Sequence, residues 1–350
     1  MKPIVKTLLS TFILIACYCV QAQSDRNIEG LAGFDIFGTQ QLSLDDIDNS
    51  TMNKLRLLVK VNTDNQYEEF LKLKKEIQDD LHKKGNFSYI ELSFITYFKP
   101  NPGRYLTIDF VDTKDKEARM PFFKKPTGSY SDPGGSLSLW EEYMNTAWKL
   151  IKSGDFEYQK SCPVFHCTFG FEDLRLKKYG KQFDELAKLY EKELFVILEK
   201  DINPQHRANA AFLLAHTGDG EKLINKLKNS VFDPEKVVRN NVIRVLSGMS
   251  TNHKQFDYPL NEILTALNFP STTDRNKASA VLVELSLKDN NKKLIAQKVG
   301  GIIIRMLKLK QPNNHDFAYQ ILKNLSGKDY GSRNYKKWEE WLKVYTSSKN

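Results

Sequence analysis

Signatures of catalysis are what this 350-residue chain has least of. It contains no Gly-x-Ser-x-Gly elbow, no His-Glu-x-x-His pair, no Gly-x-Gly-x-x-Gly and no Walker loop. The usual motif-borne routes to acyl transfer, zinc hydrolysis, dinucleotide binding and phosphate cradling are therefore missing. Asp132-Pro-Gly-Gly135 is rich in glycine, but it reads as a turn without the strand-to-helix setting that phosphate binding needs. Glu141 and Glu142 are adjacent on a helix and so do not face each other. Histidine is scarce. His82, His206, His216, His253 and His315 stand singly and read as surface or helix-end residues rather than ligands. His216 falls near the end of a repeat helix, where a cation is favoured. There are four cysteines, two of them (Cys17 and Cys19) in the first apolar stretch. Beyond that stretch no hydrophobic run is long enough to cross a bilayer.

The apolar stretch itself reads as a leader spanning residues 1–22. Lys2 and Lys6 supply a positive start, Leu8 to Val20 is mostly apolar, and Val20-Gln21-Ala22 offers small residues for cleavage before Gln23. A second reading is a lipobox at Leu14-Ile15-Ala16-Cys17, which would put a lipid on Cys17. Either way the chain is expected to be exported, secreted or periplasmic. In an oxidising compartment the two remaining cysteines, Cys162 and Cys167, most often pair. Cys162, His166 and Cys167 are also the only residues grouped like metal ligands, so a metal- or thiol-dependent enzyme is the alternative. Their spacing matches no common zinc signature, and no cofactor is expected.

Charge is unevenly spread. Residues 23–203 carry 26 Lys+Arg against 30 Asp+Glu, while residues 204–350 carry 24 against 13. The plain reading is a solvated mixed-charge surface. The sharper one is a basic face for an acidic protein, an anionic glycan or an anionic lipid surface. An exported protein rarely meets nucleic acid, which makes that partner the least suitable. Oligomeric state is not legible.

Residues 23–112 read as a small α/β domain. Phe34-Asp-Ile-Phe37 before Gly38 predicts a short strand, and Ser43-Leu-Asp-Asp46 a helix start. A second helix over about 66–84 should bury Tyr67, Phe70, Leu71, Ile77 and Leu81. Phe87 to Phe98 and Arg104 to Val111 alternate around Pro100-Asn-Pro-Gly103, which predicts a hairpin with Glu91, Ser93, Thr107 and Asp109 toward water. The order strand, helix, helix, strand, strand, with Gly38 and Leu81-His-Lys-Lys-Gly-Asn-Phe87, resembles a POTRA domain over about 28–112. That resemblance implies a periplasmic domain that holds protein segments by adding a strand to a sheet edge. A structural envelope protein pairing through that edge is a further alternative.

Residues 113–180 read as a linker. A surface connection packs Phe122 and Phe123. A helix then begins with a capping box, Ser138-Leu-Trp-Glu141, and places Trp140, Tyr143, Met144, Ala147 and Ile151 on one side until Gly154. From Lys181 the apolar positions Phe183, Leu186, Leu189, Tyr190, Leu194, Ile197 and Leu198 predict one further helix that closes the array behind it.

Residues 181–350 repeat. Asp201 precedes Arg207 by six residues, Asp233 precedes Arg239 by six, and a leucine follows each Arg by seven. Aligned leucines at 214, 246, 285 and 325 are 32, 39 and 40 residues apart, a period typical of stacked helical pairs. In the third and fourth units this alignment puts Thr272 and Pro312 at the Asp position, and Ala278 and Ala318 at the Arg position. An Asp can cap the helix and an Arg can bond that Asp or the neighbouring turn. Asp233, Pro234, Val238 and Arg239 resemble the HEAT family, with the likeness extending over about 200–345. The resemblance implies an armadillo-like α-solenoid of about four helical pairs, closed by a C-terminal helix with Trp338, Trp341, Leu342 and Tyr345. The expected fold is thus an α+β N-terminal domain followed by an all-α solenoid. The expected function is non-catalytic: a protein-binding scaffold, with Lys236 and Arg244 as contact candidates and Asp201, Arg207, Asp233 and Arg239 as structural positions.

Overall fold

The structure is a computed structural model that describes residues 27–64, 66–97, 102–156 and 162–348. The leader, Cys17 and the Pro100–Asn101 part of the hairpin turn lie outside these residues. The chain forms two compact units. The first runs through Ala118 and takes in Leu309–Pro312, and the second comprises Arg119–Lys308 and Asn313 onward.

The first unit holds strand β1 (Gly33–Phe37), helices α1 (Asn49–Thr63) and α2 (Tyr67–His82), and strands β2 (Phe87–Tyr97) and β3 (Gly103–Asp112). The sheet order is β1-β3-β2. β1 runs parallel to β3 with Phe34 opposite Leu106, and β2 runs antiparallel to it with Leu92 opposite Ile108. Leu55 and Leu58 of α1, Ile77 and Leu81 of α2, and Leu106, Ile108 and Phe110 of β3 make the centre of its core, each fully buried. Each such side chain contributes roughly 1.5–3 kcal/mol of transfer free energy.

Four local expectations change here. Ser43 and Asp46 close a capping box on a short 3-10 turn, and the α-helix begins only at Asn49, where the Asp48 carboxylate accepts from the Thr51 amide. Tyr67 and Leu71 are exposed, because α2 covers the sheet with Leu73, Ile77 and Leu81. Thr107 and Asp109 are buried. Alternation puts polar residues in water only where one face of a strand is solvated, and β3 is the central strand, covered on both faces. Glu91 is also nearly buried, and the Lys74 ammonium meets it at 3.2 Å.

The second unit is helical. A short helix α3 (Lys116–Arg119) leads into it, followed by α4 (Ser136–Ser153), α5 (Lys177–Leu189), α6 (Glu191–Lys200), α7 (Pro204–Leu213), α8 (Gly220–Ser230), α9 (Lys236–Asn252), α10 (Leu260–Ala266), α11 (Thr272–Leu285), α12 (Asp289–Leu307), α13 (Pro312–Ser326) and α14 (Tyr335–Ser347). The connection before α4 is anchored rather than superficial. Arg119 is buried and donates from Nε to the Asn268 carbonyl at 3.1 Å. Phe122 meets Phe269 edge-on at 5.0 Å, whereas Phe123 is exposed and only its amide is held, by the Phe232 carbonyl.

α4 starts at Ser136 and not at Ser138. The Asp132 carboxylate accepts from the amides of Leu137 and Ser138 at 2.8 and 2.9 Å, so it takes the role assigned to the Ser138–Glu141 box. The helix predicted from Lys181 is two helices, which break at Tyr190, where φ is −111° and ψ 24°. The break leaves Leu189 exposed.

The register of the later repeats is corrected as well. The fourth residue of α7, α9 and α11 is Arg207, Arg239 and Arg275. Each donates from Nη1 to the backbone carbonyl six residues earlier: Asp201, Asp233 and Phe269, at 2.7, 2.8 and 3.1 Å. Arg275, not Ala278, is therefore the equivalent arginine, and α13 carries His315 at that place. The helix starts step by 32, 36 and 40 residues, and the matching leucines are 214, 246, 282 and 322. The Asp partners move too. Arg207 bonds Asp233 before α9, while Arg239 bonds Asp274 inside the first turn of α11, at 2.9 Å.

Candidate functional site

The helices α4, α7, α9 and α11 lie side by side, α4 against α7, α7 against α9 and α9 against α11. Arg207 and Arg239 point from their helices toward the turn of the next, which fixes the spacing of the layer. Residues at helical intervals on another side of the same helices line two open hollows.

The first hollow has a volume of about 500 Å³. Arg244, Ser247, Gly248 and Thr251 come from α9, Asn276, Lys277 and Ala280 from α11, and Phe317 from α13. Cys162, Phe165, His166 and Cys167 close one side. The second hollow, about 520 Å³, is lined by Trp140, Glu141, Met144 and Trp148 of α4, Gln205, Asn209 and Phe212 of α7, and Val237, Asn241 and Arg244 of α9. Arg244 is common to both.

A short covalent ring holds the cysteine segment. The Sγ atoms of Cys162 and Cys167 are bonded to each other as a disulfide. Phe165 is buried: its amide donates to the Ala215 carbonyl at 3.1 Å, and its ring packs against His253 and Phe256. His166 stacks on Phe212 at 5.3 Å. The segment lies so close to α9 that a Cβ on Gly248 would stand 2.8 Å from His166 Nδ1. Glycine there is a requirement of close approach. With both sulfurs in one bond, neither is a thiolate that could join His166 around a metal in this state. Among the described residues no group of three His, Cys, Asp or Glu side chains is arranged to hold a metal ion.

The electrostatics of the two hollows differ. Among the described residues no carboxylate lines the first. Arg244 is half-buried; its Nη2 donates to Asn240 Oδ1 at 3.3 Å and its buried Nε has no hydrogen-bond partner. Lys277 Nζ donates to the amide oxygen of Asn276 at 2.9 Å. Burial, and then the nearby Arg244 charge, lower the Lys277 pKa to about 8. Burial likewise lowers that of Arg244. His166 is pushed down to about 3, first by burial and then by Arg244, His216 and Lys277, so it is neutral at pH 7. The second hollow contains one acid, Glu141, which accepts from Asn209 Nδ2 at 3.2 Å.

Of the two contact candidates read from the sequence, Arg244 lines both hollows. Lys236 is exposed at the start of α9, outside both linings, and its charge acts on buried Asp274. Asp201, Arg207, Asp233 and Arg239 are buried; Arg207–Asp233 and Arg239–Asp274 join neighbouring helices, while the Asp201 carboxylate accepts from the Asn203 amide at the start of its own helix. His216 is not a surface residue. It is buried, and its Nδ1 meets Asp184 Oδ1 at 2.7 Å. Lys277, Trp148 and Asn276 were not singled out in the sequence. Placing Arg275 in line with Arg207 and Arg239 would have shown Asn209, Asn241 and Lys277 as one recurring position, two residues after each arginine.

The first hollow offers cations, amides, hydroxyls and ring faces. Compared with known proteins, the chain matches no family model and no curated sequence.

Proposed function

We propose that this is an exported, non-catalytic scaffold that holds a segment of a partner protein against the groove formed by α4, α7, α9, α11 and the disulfide loop. The observation that carries the reading is the pair of adjoining hollows. One presents two cations with no carboxylate among the described residues of its lining, and the other presents the half-exposed ring of Trp148. Export rests on the leader pattern of residues 1–22 and is consistent with a disulfide at Cys162–Cys167. We infer HEAT-like repeats from the recurring arginine at the fourth position of α7, α9 and α11. A POTRA-like N-terminal unit is supported by the strand order β1-β3-β2 with β1 parallel to the central β3.

The test is site-specific photocrosslinking in the natively exported protein. A photoreactive side chain at Val237 or Ala280, in the groove, should capture one discrete partner. The same group at Leu174, which is exposed elsewhere, should not. Equal capture from both places would remove the groove from the account.

A second reading is favoured by one observation: β2, eleven residues long, pairs with β3 on one side only among the described residues. An extended partner segment could pair along its other edge. Crosslinks from β2 but none from the groove would select this reading.

A further inference from the structure

The groove reading leaves open what the bound segment must carry. On that reading we propose that the Arg244–Lys277 hollow receives the carboxylates of an acidic peptide segment, while the Trp148 hollow receives an apolar side chain of the same segment.

Charge complementarity carries the first half. Arg244 and Lys277 face one cavity, repel each other, and among the described residues meet amide oxygens: Asn240 for Arg244 and Asn276 for Lys277. His166 adds no charge at neutral pH. Ser247 adds a hydroxyl, and Asn252 and Asn276 each add a second amide N–H beyond the one given to a backbone carbonyl, all able to donate to an oxyanion, while the Thr251 hydroxyl is given to the Ser247 carbonyl. A carboxylate entering here would gain two charge-assisted hydrogen bonds and relieve the repulsion. The volume is several times that of a bare oxyanion, which fits a ligand that brings its own stem.

The second hollow decides between peptide and glycan. Its walls include Met144, Val237 and Phe212, which suit an apolar side chain. Trp140 is only 2 % exposed, so Trp148 alone offers a ring face, and stacking on a chain of sugars has little to use. Gln205 and Asn241 line the same hollow, with amide oxygens that can accept from an extended backbone. Glu141 gives the groove polarity, since it disfavours an acid at that end and steers the carboxylates toward Arg244.

The experiment uses the full mature protein and an acetylated, amidated hexapeptide with one Phe followed by Asp and Glu. Its counterpart has Asn and Gln in place of the acids. Binding is read by calorimetry and by Trp fluorescence. The acidic peptide should bind at least about tenfold more tightly than the amide peptide, the scale of one hydrogen bond to a charged group. Lys277→Gln, Arg244→Gln and Thr251→Glu should each remove most of that preference while the protein remains folded by circular dichroism. Lysine methyl NMR adds a readout that folding alone would not move: the Lys277 titration should shift upward when the acidic peptide is bound. Equal affinity for the two peptides, or a preference that persists in Lys277→Gln, would overturn the proposal. So would binding of inorganic phosphate or a heparin oligosaccharide at this site without binding of the peptide. A partner that still crosslinks at Val237 but shows no acidic preference would leave the groove function standing and sink only this proposal.

Discussion

The guanidinium of Arg207 meets the carboxylate of Asp233 in two parallel hydrogen bonds, each 2.8 Å, and neither side chain is exposed. The pair joins α7 to the turn before α9, and Nη1 of the same arginine holds the Asp201 carbonyl. One residue thus ties the start of its own helix to the start of the next. Breaking a buried pair by removing one partner typically costs about 3–5 kcal/mol, because the other charge is left uncompensated. Arg207→Ala and Asp233→Ala should each destabilise on that scale, and the double variant by much less than their sum. Urea unfolding of the four proteins in a double-mutant cycle measures the coupling. Additive losses would mean that the pair is not a unit.

Between α9 and α11 Arg239 donates to Asp274 while its guanidinium carbon lies 4.0 Å over the Phe122 ring. Arg239→Lys keeps the charge and loses the planar fork and its stacking. It should cost about 1.5–3 kcal/mol, the range of a hydrogen bond to a charged group. The loss should shrink in a Phe122→Ala background if the stacking is part of it, which a thermal-melt series would show.

The start of α4 separates two readings. Asp132 accepts from two amides at the helix N-terminus, whereas the Ser138–Glu141 box is not formed. Asp132→Ala should lower stability by about 0.5–2 kcal/mol, and Ser138→Ala should change it little. The reverse ranking would restore the helix start at Ser138.

These cases show what the chain reveals before folding. Periodicity places the helices of the second unit, because each buries one apolar side. The arginine signal at 207 and 239 is readable because six residues separate each from an Asp. It fades at Arg275, where the residue six before is Phe269 and the bond goes to a backbone carbonyl that any residue provides. Alignment by leucines then slips by one helical turn, from Leu282 to Leu285. Thr107 and Asp109 mislead for another reason: alternation reports polarity along a strand, while burial depends on where that strand lies in the sheet. Of the groove, Arg244 was legible as a basic residue on a repeat helix. Lys277 was hidden by the slipped register, and the disulfide loop's place against Gly248 depends on a contact remote in sequence.

Acid should loosen the disulfide loop from α9. His166 titrates at about 6.5 when unfolded and about 3 when folded, because burial disfavours its charged form. Above pH 6.5 both states are neutral and there is no penalty. As pH falls from 6.5 toward 3 the unfolded state takes up the proton first, so stability is lost across that window. His166→Phe should flatten this part of the stability–pH curve, measured by chemical unfolding at several pH values. An unchanged slope would mean that His166 is solvated.

Reduction acts on the same segment. The Cys162–Cys167 bond closes a loop of a few residues, which is worth about 2 kcal/mol in the chain-entropy model. The Cys162→Ser, Cys167→Ser double variant should lose about that much and weaken peptide binding, since Phe165 and His166 line the cationic hollow. Full binding in the variant would show that the loop is not part of the site.

The most direct measurement is the ionisation of Lys277. Reductive ¹³C-methylation followed by NMR titration resolves individual lysines by their methyl signals, and Lys277→Gln assigns this one. Burial of the ammonium, with the Arg244 charge beside it, predicts titration near pH 8, and a partial rise in Arg244→Gln. Titration near 10.5 in the wild type, unmoved by Arg244→Gln, would mean that the ammonium lies in water and that the groove has no unneutralised charge to offer a partner.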